Sequence, residues 1–303
     1  MATTTPTTIP DLAADFGRRA DISARSVIVT IFGDSIVPAG GQIWLGGLIE
    51  LCRPFGYSHR LVRTSMFRLA GEGWFDTERV GRRSRYRLTD RATAEFAEAE
   101  ARIYHQPEVA WDGQWTVVFL DSGLLDAGTA QALRSSLGWH GYAAVSAGVM
   151  AVPRVEPDQV QRLAARAGSP APLPVATAAF ADLAALVEQG WLAGALALDD
   201  ASARYQELID RYGWTEGLQP SEVSDADAFC LRTMLIHELR RARLADRDLP
   251  AELLPTGWPA PAAMQLAGSA YQALALGSER WLASTTGLVP QPPDRAHDRF
   301  ADA

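Results

Sequence analysis

The sequence predicts an α+β fold, on three observations. Apolar residues recur at helical spacing through most of the 303 residues, and short β-branched or alternating runs interrupt them at 74–88 and again between 115 and 180. No stretch approaches the roughly 18 to 20 consecutive apolar residues of a membrane-spanning helix. With 48% hydrophobic residues the chain can bury two or three separate cores.

Residues 1–22 begin Thr-rich and lack the basic and apolar regions of a secretion signal, so a flexible lead-in is expected. Residues 23–105 hold the first domain. Within it, 24–33 (ARSVIVTIFG) suits helix or strand by composition, and Pro38 with Gly40 and Gly41 closes it. Ile43, Trp44, Leu48, Leu51 and Cys52 then recur at helical spacing until Pro54 and Gly56. Ser58 is a good N-cap for a third helix running to about Ala70. Its inward stripe is Leu61, Val62, Ser65, Met66 and Leu69, which leaves Arg60, Arg63, Thr64 and Arg68 on the other side. Residues 74–80 and 84–88 read as strands joined by a Gly-Arg-Arg turn, and 90–104 as a connecting helix capped by Thr89 or Asp90. Helix, helix, turn, helix, hairpin is the order of a winged helix-turn-helix.

Pro and Gly interrupt helical composition at 106–113, and a central domain is expected over 106–190. Its strand at 115–120, helix at 127–137, strand-like 142–152, helix at 157–167, strand-like 175–180 and helix at 181–187 suit a small α+β unit. Residues 191–288 form a helical C-terminal domain, with helices at 202–212, 225–244 and 262–283 and a rigid connector, LPAELLPTGWP, at 249–259. The polar, Pro-bearing tail 289–303 is expected to be loose.

The net charge of -8 argues against indiscriminate nucleic-acid binding, but it hides a local asymmetry. Between Ser58 and Leu88, eight arginines (60, 63, 68, 79, 82, 83, 85 and 87) stand against three acids, a net +5. A basic helix followed by a basic hairpin suits double-stranded DNA. Arginines of the helix can present paired donors to guanine O6 and N7, while Arg79, Arg82, Arg83, Arg85 and Arg87, with Tyr86 among them, lie against phosphates. His59, at the helix start, is placed to touch a phosphate as well. The competing reading is a solvated Arg-rich face.

Enzyme motifs are weak. Ala144-Val-Ser146-Ala-Gly148 falls one residue short of a GxSxG elbow and has no marked His partner. Gly71-Glu-Gly73 lacks the third glycine of a dinucleotide loop, and a chain without Lys has no P-loop. Asp121 follows the first central strand with nothing nearby to complete a metal site, and the five histidines are scattered. No catalytic residue, cofactor or metal is therefore assigned, and no enzyme is expected. Cys52 and Cys230 read as buried free thiols, which points to the cytoplasm. The helix 225–244 carries Arg232, His237, Arg240, Arg241 and Arg243 opposite an apolar stripe of Leu231, Leu235, Ile236 and Leu239. That cluster suits ligand phosphates or, equally, a surface salt-bridged to Glu238 and Asp246.

The run SVIVTIFGDSIVPAGGQIWLGGLIELCRPFGYSHRLVRTSMFRLAGEGWFDTERVGRRSRYRLT, together with Trp111-Asp-Gly-x-Trp115 and LRTMLIHELRRARLADRDLPAELLPTGWP, resembles the PaaX family of phenylacetate-pathway transcriptional repressors. The resemblance implies a homodimeric repressor of a catabolic operon that binds operator DNA through the winged helix. It further implies a ferredoxin-like central domain and a helical C-terminal domain for effector binding and dimerisation. Ser58, Arg60, Arg63, Thr64 and Arg68 would form the reading helix, and Arg82, Arg83, Arg85 and Tyr86 the wing. The implied effector is an aryl-acyl-CoA such as phenylacetyl-CoA, its phosphates assigned to Arg240, Arg241 or Arg243, with Trp258 near the acyl group. Two departures from the family pattern, Asp199-Asp200 after Leu198 and Leu239 after Glu238, both fall in the ligand half. A PaaX-like regulator of a non-CoA metabolite and a CoA-dependent enzyme fused to a DNA-binding module are the alternatives.

Overall fold

The structure is a computed structural model that describes residues 8–105, 111–120, 123, 125–179, 198–290 and 299–300. Residues 106–110 of the boundary expected at 106–113, Asp121 and the helix expected at 181–187 lie outside these residues. The helices are α1 (Ile9–Arg18), α2 (Ala24–Ile31), α3 (Leu45–Cys52), α4 (His59–Gly71), α5 (Asp90–Tyr104), α6 (Ala127–Trp139), α7 (Pro157–Arg166), α8 (Leu198–Tyr212), α9 (Asp225–Ala245) and α10 (Ala260–Thr286). The strands are β1 (Gln42–Trp44), β2 (Phe75–Val80), β3 (Arg83–Leu88), β4 (Trp115–Phe119), β5 (Ala143–Ser146), β6 (Val149–Val152) and β7 (Val175–Ala178). They form two antiparallel sheets, ordered β1-β3-β2 and β5-β6-β4-β7, so the α+β expectation holds. No described helix is long and apolar enough to cross a membrane.

The chain divides into two compact units, one of residues 1–106, 204–244 and 259–303, the other of 107–203 and 245–258. In the first unit the lead-in is a helix, correcting the expected flexible segment over residues 8–22. Thr8 caps α1 through the Asp11 N–H, and Ala13 and Phe16 are buried. The segment left open between helix and strand is α2, capped by Ser23 and followed by a π-helical turn at Phe32–Ile36. The helix read from Ile43 starts instead at Leu45. Ile43 and Trp44 are taken into β1, where they pair with Tyr86 and Arg85 of β3.

Helix α9 corrects the one-faced amphipathic expectation, because it is buried on nearly every side, Arg232, His237 and Arg243 included. The His237 Nδ1 lies 3.0 Å from Thr30 Oγ1 of α2, and its ring meets Phe16 of α1 edge-on at 5.2 Å. Arg299 and Phe300, in the tail expected to be loose, are also buried. Both belong to a cluster around Asp34 of the π-helical turn. Arg232 Nε donates to its carboxylate at 2.9 Å, Tyr104 at 2.8 Å, Tyr271 at 3.1 Å and Arg299 at 3.1 Å. Burial alone would raise the Asp34 pKa, but the two guanidiniums outweigh it and hold the carboxyl below its ordinary range.

The second unit runs β4-α6-β5-β6-α7-β7. One face of its sheet buries Val118, Met150 and Val152 against Leu133 and Leu137 of α6 and Val160 and Leu163 of α7. On the other face Trp115, Ala143 and Ala151 pack with Leu198, Leu249 and Leu253, and the alternation of Trp115 and Val118 along β4 serves both layers.

Candidate nucleic-acid interface

Helices α3 and α4 are joined by a tight turn ending at Gly56, whose φ of +76° is the left-handed conformation that glycine adopts without strain. Ser58 accepts from the Leu61 N–H at 3.2 Å, so its hydroxyl caps α4, and His59 is the exposed first residue. Along α4, Val62, Ser65, Met66 and Leu69 are buried as expected, whereas Leu61 is not. The outer arc carries Arg60, Arg63, Thr64 and Arg68, all exposed. Phe67, which the sequence reading assigned to neither face, lies on that arc with 76% of its surface open. Its spacing of three from Thr64 and four from Arg63 was the available signal.

The β2–β3 hairpin turns through two residues, Gly81 and Arg82, and the Gly81 φ of +59° is one that a type II′ turn requires at that position. Alternation along β3 sends Tyr86 inward between Ile43 and Thr77, where it is only 7% exposed. This corrects its assignment among the DNA-facing residues. Arg85 and Arg87 face outward but are engaged within the hairpin. Arg85 bonds Glu78 at 2.5 and 3.0 Å and lies 5.4 Å over the Trp44 ring, while Arg87 reaches Asp76 at 3.5 Å.

Arg60, Arg63, Arg68, Arg79, Arg82 and Arg83 have no protein partner among the described residues. Sequence counting could not separate these six from Arg85 and Arg87, because cross-strand register decides which arginine meets an acid. Three of them, Arg63, Arg82 and Arg83, converge on a groove of about 470 Å³ whose floor includes Trp44, Gly46 and Gly47. The head of α3 lies there with no side-chain cap and no acid in its first turn, so its free N–H groups add positive potential.

The cations expected to hold an effector fare differently. Arg243 is 1% exposed and spends its donors on the Arg102 and His105 carbonyls, at 2.9 and 3.1 Å, and on Tyr205 at 3.3 Å. It ties α9 to the end of α5, which corrects its assignment to ligand phosphates. Arg241 pairs with Asp21 at 2.6 Å and Glu238 at 3.3 Å, and Arg19 also binds Glu238. Arg240 has no described partner; burial lowers its pKa, opposed by Tyr104. Trp258 is partly buried against the Trp115–Leu253 cluster of the second unit. No group of three or more His, Cys, Asp or Glu suited to a metal occurs among the described residues.

A family model described as PaaX-like protein matches residues 23–92, the stretch carrying α2 to β3, and one described as PaaX-like protein C-terminal domain matches residues 196–284. The chain is 36% identical over 294 residues to a protein of Escherichia coli K12 named transcriptional repressor PaaX, covering 92% of this chain and 90% of that one. An uncharacterized protein of Mycobacterium tuberculosis, Rv0674, shares the fold at a TM-score of 0.56 and 22% identity, over 87% of this chain and 98% of that one. On these matches, which span both its arginine-bearing N-terminal segment and its C-terminal helices, the chain belongs to the PaaX family.

Proposed function

We propose that this protein is a transcriptional repressor that binds operator DNA, a regulator and not an enzyme. The observation that carries the reading is the set of six arginines on α4 and the β2–β3 hairpin that have no partner among the described residues, in a chain related over nearly its whole length to a transcriptional repressor. In this reading α3 and α4 are the helix-turn-helix and the hairpin is the wing. Helix α4 enters the major groove, Arg63 and Arg68 present guanidinium forks to base edges, and Arg82, Arg83 and the uncapped head of α3 hold backbone phosphates. A homodimer places two such surfaces on a palindromic site.

The order β4-α6-β5-β6-α7-β7 with sheet order β5-β6-β4-β7 supports a ferredoxin-like central domain. The family supports an aromatic-acid catabolic operon as target and release by an aryl-acyl-CoA. Of the arginines assigned to the CoA phosphates, Arg240 is the one with no described partner to displace.

The test is binding of the full chain to the DNA upstream of its own gene and to a random duplex, with and without phenylacetyl-CoA. Arg63→Ala and Arg68→Ala are expected to cost about 1 to 3 kcal/mol on the specific duplex and much less on the random one. Equal losses on both would reduce these side chains to phosphate holders and sink the groove assignment. Phenylacetyl-CoA, but not phenylacetate, is expected to dissociate the complex.

A further inference from the structure

Phe67 is the most exposed large apolar side chain among the described residues, and it does not sit on a neutral surface. At 100° per residue it lies near the middle of the outer arc of α4, one turn beyond Arg63 and Thr64 and two turns beyond Arg60, with Arg68 beside it. Leaving a phenyl ring in water forfeits the free energy that its burial would release, so a cover is worth having. The arginines define that cover. A second copy packing the same arc would bring two sets of Arg60, Arg63 and Arg68 together with no acid on the arc to offset them. A surface that suits both features is anionic at its edges and apolar at its centre. The major groove has that pattern wherever a thymine methyl stands between two phosphate backbones.

Resting on the proposed reading of α4 as the groove helix, we infer that Phe67 is a specificity-determining residue that packs on the 5-methyl group of a thymine in each half-site. Arg63 and Arg68 flank it and hydrogen-bond to neighbouring bases. The ring offers no donor or acceptor, so it discriminates by the methyl alone. It favours thymine over cytosine, and it treats 5-methylcytosine as thymine and uracil as cytosine.

The experiment uses the full chain to enrich duplexes from a random-core library. Each thymine of the enriched sequence is then replaced by uracil, which deletes only the methyl. At one thymine of each half-site, uracil is expected to weaken wild-type binding about fourfold, the value of one buried carbon. At that position it is expected to leave binding by Phe67→Ala unchanged, while Phe67→Leu keeps part of the effect. The substitutions lie on an exposed face, and unchanged thermal melting confirms that the variants are folded. Wild-type indifference to uracil at every position, or equal losses for wild type and Phe67→Ala, would overturn the inference and leave the DNA reading intact. A change in oligomeric mass in Phe67→Ala with the thymine effect unaltered would assign the ring to a protein contact instead. Enrichment of no sequence at all would bring down the reading of α4 and this inference with it.

Discussion

His237 is a buried imidazole whose Nδ1 meets Thr30 and whose Nε2 has no hydrogen-bond partner among the described residues. Burial first, and then Arg240, Arg241 and Arg19, pull its pKa down to about 3, against an ordinary value near 6.5. The unfolded chain therefore binds a proton that the folded chain refuses across that window. Its contribution is complete above about pH 6.5 and declines as pH falls towards 3. Replacing His237 by Leu is expected to flatten the dependence of the urea midpoint on pH between about 6 and 4; an unaltered slope would place the acid sensitivity elsewhere. On the β2–β3 hairpin, Arg82→Ala and Arg83→Ala should each flatten the salt dependence of DNA binding by about one unit, whereas Arg87→Ala, already paired to Asp76, should flatten it less. The local +5 window was legible by counting charges. Which of its arginines are unpaired was not, since the pairs Arg85 with Glu78 and Arg87 with Asp76 exist only in the register of β2 against β3.

At the scale of elements, the sequence was clearest where periodicity and punctuation agreed. The Ser58 cap and the inward positions of α4 were legible for that reason, and so was the strand–helix alternation of the second unit. The misses have identifiable causes. Strand β1 has three residues, too few for alternation to outweigh the helical spacing of Ile43 and Trp44 with the residues that follow. Helix α1 was masked by the Thr-rich start, although Thr8 and Asp11 already carried a capping pattern. Its worth can be measured. Phe16 is buried between Phe55 and the His237 ring, and Phe16→Ala is expected to cost about 3 to 5 kcal/mol in denaturant unfolding. A cost below about 1 kcal/mol would return residues 8–22 to the status of a dispensable lead-in.

At the scale of the molecule, the first unit is assembled from pieces that are remote in sequence. No pattern within 23–105 could reveal this, because its signal is a set of single polar residues, each unremarkable in its own segment. Asp34 follows α2, Tyr104 ends α5, Arg232 and Tyr271 come from the two C-terminal helices, and Arg299 comes from the tail, yet all five meet in one buried cluster. Arg299 also reaches Glu100 at 2.8 Å, so two cations are matched by two carboxylates. Such a group costs desolvation to assemble and costs more to break, since removing one partner strands a buried charge. Arg232→Ala is accordingly expected to lower stability by about 3 to 5 kcal/mol, and Arg299→Ala to lower it in the same direction, although neither residue lies in the DNA-facing segment. Asp34 adds a pH signature. Its folded pKa lies below its unfolded value of about 4, so its contribution holds above that value and is lost as the pH falls below it. The same geometry bears on the segment 23–105, whose order of elements suggests an independent domain. Expressed alone, it would leave the Asp34 carboxylate without either guanidinium and strip from α2 the α9 face that holds Thr30. A fragment of residues 1–105 is therefore expected to lack a cooperative thermal transition, while the full chain shows one whose midpoint falls in Arg232→Ala. A fragment that melts sharply and binds the same DNA as the full chain would show that the C-terminal helices only rest on the N-terminal segment and do not complete its core.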